Sequence, residues 1–99
     1  MNRTQIKDSL YNAMKETNRL MKETNAKVGK WETLVSNQSH IVDYYESLYS
    51  YAPAEDIGKR LDIEYRRFDL YTKMYKSARC RADEIEQALC GIEKACYWL

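Results

Sequence analysis

The chain has 99 residues, of which 44% are hydrophobic and 31% charged, with a net charge of +1 at neutral pH. That length allows one domain, and so small a net charge argues against a protein held to nucleic acid or membrane chiefly by charge. No apolar run approaches the roughly 18 residues needed to span a bilayer, and Met1-Asn2-Arg3-Thr4-Gln5 lacks the apolar core of a signal peptide, so a cytoplasmic location is expected.

Three glycines and one proline leave little material for loops, and the pattern along the chain is helical from the start. Asn2 is a good N-cap, and Gln5 stands three residues on, the spacing of a capping box. Apolar side chains then recur every seven residues in three rows. One is Ile6, Ala13, Leu20, Lys27, Leu34, Ile41 and Leu48. A second is Leu10, Thr17, Thr24, Trp31, Gln38 and Tyr45, and a third is Met14, Met21, Val28, Val35, Val42 and Tyr49. The period holds across Gly29, so a first helix is predicted over about 3–50 although glycine costs about 1 kcal/mol there. Three rows make a wider face than a two-stranded coiled coil needs.

The only proline, Pro53, divides the chain. The residue before a proline is forced out of the helical region, while proline itself suits the first helical turn. Glu55 and Asp56 then set negative charge where the helix dipole favours it. A turn is expected at about 51–53 and a second helix over about 54–97. Its rows are Leu61, Phe68, Tyr75, Ala82, Leu89 and Cys96, beside Ile57, Glu64, Tyr71, Ala78, Ile85 and Ile92. Folding the chain at Pro53 sets Tyr45 against Leu61, Gln38 against Phe68, Val35 against Tyr71 and Trp31 against Tyr75. Nearly every level of that pairing is apolar on both sides.

The expected fold is therefore all-α: one domain over 1–99, a long antiparallel two-helix hairpin of coiled-coil character. A lone hairpin buries little surface, so dimerisation into a four-helix bundle is expected to complete it. Charge supports the antiparallel order. Residues 31–58 hold five acids and no base, whereas residues 59–81 hold eight bases against three acids. Within the seam, Glu64 is a buried-carboxylate candidate, expected to meet a base from the opposite arm or to snorkel. Gln38 and Lys27 are polar seam residues suited to setting register.

Two surfaces stand out as candidates for a partner. At about 100° per residue, Ile63, Leu70 and Met74 point away from the seam, rimmed by Lys59, Arg60, Arg66, Arg67, Lys73 and Arg81. An apolar centre with a polar rim is the pattern of a protein interface. The second surface is Tyr44 and Tyr51, seven apart near the turn, with Trp98 at the other end. Tyrosine and tryptophan favour such places because a large ring is buried while a polar atom stays bonded. Tyr45, Tyr49, Tyr71 and Tyr75 are assigned to the seam. At the C-terminus, Cys96 and Leu99 are expected to close the seam against Ile6, Lys7 and Leu10.

The chemistry of catalysis is scarce. There is one histidine, His40, with no serine or acid at nucleophile spacing and no glycine-rich phosphate loop. Cys80, Cys90 and Cys96 have neither zinc-ligand nor redox-pair spacing and are expected as reduced thiols. No catalytic, cofactor or metal residues are assigned. In size and hairpin layout the chain resembles the Trp-x-Gly class of small secreted helical hairpins. Its turn instead reads Tyr51-Ala52-Pro53-Ala54, and Gly29-Lys30-Trp31 lies mid-helix in the reverse order, so it is not assigned to that class. The expected function is a non-catalytic protein-interaction module, such as an adaptor, an assembly factor or a small inhibitor of a larger complex, acting as a homodimer. The alternative is a nucleic-acid-binding bundle that uses the basic stretch of the second helix, as small four-helix-bundle dimers can.

Overall fold

The computed structural model describes residues 2–98. Among them are two helices, α1 over Arg3–Tyr51 and α2 over Glu55–Tyr97. The capping box forms at the start of α1: the Gln5 backbone N–H donates to Asn2 Oδ1 at 2.9 Å, and the Asn2 N–H donates to Gln5 Oε1 at 3.0 Å. α1 then runs unbroken through Gly29 for 49 residues. It closes with the Ala52 N–H on the Leu48 carbonyl at 2.9 Å.

The turn is placed as expected but begins α2 later. Pro53 and Ala54 lie outside both helices, and the Gly58 N–H bonds to the Ala54 carbonyl at 3.0 Å. Pro53 is therefore not the first helical residue. It precedes the cap, and Glu55 and Asp56 form the first turn, as the dipole favours.

Each helix contributes to two compact units. The turn-side unit is Val28–Ser77; the other joins the chain through Lys27 to the chain from Ala78 onward. In the turn-side unit, Val28, Gln38, Val42 and Glu64 are buried, and Trp31, Val35, Tyr45, Leu61, Phe68, Tyr71 and Tyr75 are half-buried. The helices are antiparallel here, as Gln38 bonds to Glu64 and Trp31 stacks against Tyr71 with ring centroids 6.1 Å apart. In the other unit, Thr24, Ala82 and Ile85 are buried, flanked by half-buried Leu10, Met14, Leu20, Leu89 and Ile92. Thr24 tolerates burial because its hydroxyl donates to the Leu20 carbonyl at 2.7 Å.

Several packing expectations need correction. Trp31 meets Tyr71, one turn from the expected Tyr75, and Gln38 meets Glu64, one turn from Phe68. Side chains of packed helices sit between levels of the opposite helix rather than opposite one residue. Lys27, Ala13 and Ile41 from the first row are exposed. Ile6, Leu20, Leu34 and Leu48 of the same row are half-buried, so the row lies at the edge of the seam, and Lys27 there is in solvent and not a seam residue. Tyr49, assigned to the core, is also exposed. Its ring lies near Gly58, where an added Cβ would be 3.2 Å from Tyr49 Cε2. With no side chain at Gly58, the Tyr49 ring can approach α2 closely while the residue stays exposed. Leu99 lies outside the described residues.

Candidate functional site

The deepest large side chain in the molecule is a carboxylate. Glu64 sits on α2 at a position where the heptad pattern calls for an apolar residue, and it is fully buried. Its Oε1 is ion-paired with Arg60, whose Nε lies 2.8 Å away, and accepts a hydrogen bond from Arg67 Nη1 at 3.1 Å. Its Oε2 accepts from Gln38 Nε2, which also reaches the Glu64 carbonyl at 3.0 Å. The expected base from the opposite arm is thus corrected. Both arginines come from α2 itself, because positions four before and three after lie on the same helix face. The opposite arm supplies the amide of Gln38.

This cluster forms the floor of an open cleft of about 390 Å³ between the helices, lined by Ile41, Tyr44 and Tyr45 of α1 with Arg60, Glu64 and Arg67 of α2. His40 stands at its rim, exposed. The Arg60 guanidinium lies over the Tyr45 ring, 5.6 Å from its centroid, in cation–π geometry. Tyr44 packs edge-on against Tyr45 at 5.2 Å.

Of the partner-surface residues selected from the sequence, Tyr44, Arg60 and Arg67 line this cleft. On α2, Ile63, Leu70 and Met74 are exposed and lie within roughly 80° of Arg60 and Arg67 around the helix. On α1, Ile41, Tyr44 and Tyr51 are exposed on the arm that forms the other wall. Ile41 belongs to the first apolar row of α1, in which Leu34 and Leu48 are half-buried and Ile41 is left exposed.

The opposite side of this unit differs in charge. There a second cleft of about 400 Å³ is lined by Ser39, Val42, Asp43, Glu46, Tyr65, Phe68 and Asp69. The Tyr65 hydroxyl donates to Glu46 Oε1. That bond, with some desolvation and the nearby charges of Glu46, Asp62 and Asp43, raises the Tyr65 pKa above its ordinary value of 10.0. Acids thus collect around Tyr65, and cations collect around the Glu64 cleft.

The remaining sequence-selected residues are less gathered. Lys59, Arg66 and Lys73 are exposed in the turn-side unit, and Lys59 pairs with Glu55 at 3.2 Å. Arg60 and Arg67 are half occupied by Glu64, so the rim is partly a structural clamp. Arg81 belongs to the other unit, is exposed, and reaches Glu84 at 3.6 Å. Trp98 also belongs there, exposed and edge-on to Tyr97 at 5.6 Å. Cys96 is half-buried beside Lys7, Asp8, Tyr11 and Met14, while Cys80 and Cys90 are exposed; all three are free thiols. Among the described residues, no helix is long and apolar enough to cross a membrane. No protein-family model matches the chain, and no curated protein or solved structure matches it.

Proposed function

We propose that the protein is a non-catalytic protein-interaction module. The observation that carries this reading is the set of exposed apolar side chains in the turn-side unit: Ile41 and Tyr44 line the Glu64 cleft, and Ile63, Leu70 and Met74 lie within roughly 80° of its arginines around α2. Scattered apolar residues on a surface are ordinary, but a contiguous set with a polar rim marks a contact surface. A homodimer is one form of this reading, and the charge on the cleft bears on it below. The second reading, a nucleic-acid-binding bundle, is favoured by Arg66 and Lys73, exposed cations that have no ion-pair partner among the described residues.

The test is a photo-crosslinking amino acid placed at Leu70 in the protein's own cells, with Lys76 on the same helix but outside the cleft side as the control position. Discrete protein adducts from position 70 and none from position 76 support the interaction module. Adducts that nuclease destroys support the second reading. If position 70 gives no adducts, the surface has no partner and the proposal fails.

A further inference from the structure

We infer that the side of the turn-side unit bearing the Glu64 cleft docks an acidic amphipathic helix of another protein, laid along the groove between α1 and α2. This rests on the interaction-module reading and names the chemistry of its partner. On α1 the side facing the cleft carries Leu34, Ile41 and Leu48 at seven-residue spacing, Ile41 exposed and the other two half-buried; on α2, Ile63 and Leu70 repeat that spacing as exposed residues beyond Arg60 and Arg67. Such rows offer holes for the knobs of a third helix with the same period, whereas an extended strand has a two-residue period and matches neither wall.

Charge fixes the sign of that helix. An arginine presents five N–H donors; Arg67 gives one to Glu64, and Arg60 is held to the same oxygen as an ion pair. Two positive groups on one buried carboxylate leave one positive charge in surplus. Both side chains remain about half exposed, at 48% and 49%. Both arginines line the cleft and are already held by Glu64, Arg60 also by the Tyr45 ring, so little rotamer freedom is lost when a carboxylate binds. Arg66 and Lys73 extend the positive rim. The acids that would neutralise it, Asp43, Glu46 and Asp69, line the other cleft around Tyr65. A second copy docking through the same side would bring two patches of the same positive sign together, since a two-fold contact uses one patch on both copies. Like charges in such a contact disfavour the pairing. The groove is therefore built for a helix of opposite sign.

The full chain is titrated with two synthetic helices that carry leucine at a and d positions over about three heptads. One has glutamate at the flanking positions and the other has lysine. The glutamate helix is expected to bind saturably, and the lysine helix about tenfold more weakly or not at all. Leu70→Glu should abolish binding of the glutamate helix. The pair Arg66→Glu and Lys73→Glu, which spares the Glu64 clamp, should weaken it about tenfold with helicity unchanged by circular dichroism. Equal affinity for the two helices would overturn the acidic specificity. A chain that light scattering shows to be monomeric, yet binds neither helix, would overturn the site. A dimer that Leu70→Glu dissociates would seat a second copy there and overturn the proposal. The wider reading survives each of these results, because it fails only on the crosslinking outcome.

Discussion

A carboxylate at position 64 occupies the one place in the turn-side seam where burial is complete, and its cost is met by three donors within hydrogen-bond reach. Removing one donor leaves the charge under-satisfied, so Gln38→Leu should lower stability by about 1–3 kcal/mol. Replacing both polar groups behaves differently. Gln38→Leu with Glu64→Leu should be close to neutral or more stable than the wild type, since Arg60 and Arg67 can turn their heads into water. Thermal denaturation of the two single variants and the double variant checks this; a double variant worse than Gln38→Leu alone would refute it. Tyr65 gives a second residue-scale prediction. Its hydrogen bond to Glu46 holds the proton on the phenol, so the folded pKa lies above the unfolded one. The stabilisation is therefore complete below 10.0 and is lost as pH rises through the higher folded value. Glu46→Gln should return Tyr65 toward 10.0, read by NMR titration of ring-labelled tyrosine.

The helices are long relative to the caps and packing that hold them, so single backbone positions matter. Gly29 lies mid-α1, exposed, with nothing within 4 Å of where a Cβ would stand. Gly29→Ala should therefore raise stability by about 1 kcal/mol, seen as a higher melting temperature without change in helicity. Gly58 is a different case, because a methyl group there meets the Tyr49 ring. The same substitution gains helix propensity but displaces the ring, and its benefit should be smaller than at Gly29. Near the start of the chain, Arg19 bridges Glu16 and Glu23 on one helix face. The hydrogen bond from Arg19 lowers the Glu16 pKa. Both side chains are open to solvent, so the pair supports the helix locally and contributes little to the fold.

Across the molecule, opposite charge is sorted between two sides of the turn-side unit rather than only along the sequence. The blocks of acid in residues 31–58 and base in residues 59–81 suggest pairing between arms. The ion pairs formed are instead mainly within a helix, such as Lys59 with Glu55 and Arg81 with Glu84. Side chains three or four apart on one helix are simply nearer than those across the seam. Leu70 lies outside the seam, more than half exposed at 55%. Leu70→Glu should thus change the melting temperature little, within the range of ordinary surface substitutions, while removing partner binding. Loss of helicity in that variant would move Leu70 into the core and contradict the assignment.

The sequence by itself determined the helices and the place of the turn, because seven-residue periodicity, the Asn2–Gln5 cap and Pro53 all act through local geometry. It also marked Glu64 as a carboxylate in the seam and Gln38 as a polar seam residue, since both interrupt an otherwise apolar row. It did not determine that the two meet, nor that Arg60 and Arg67 serve as a clamp. A seam partner depends on how knobs settle between levels, which shifts contacts by one turn without altering the pattern. Nor could it say which of three apolar rows stays uncovered, as each is equivalent until a second helix chooses two. That choice, made only by packing, leaves Ile41 in the open, where it lines one cleft with Arg60, Arg67 and Tyr44, a residue the sequence had already placed at the surface.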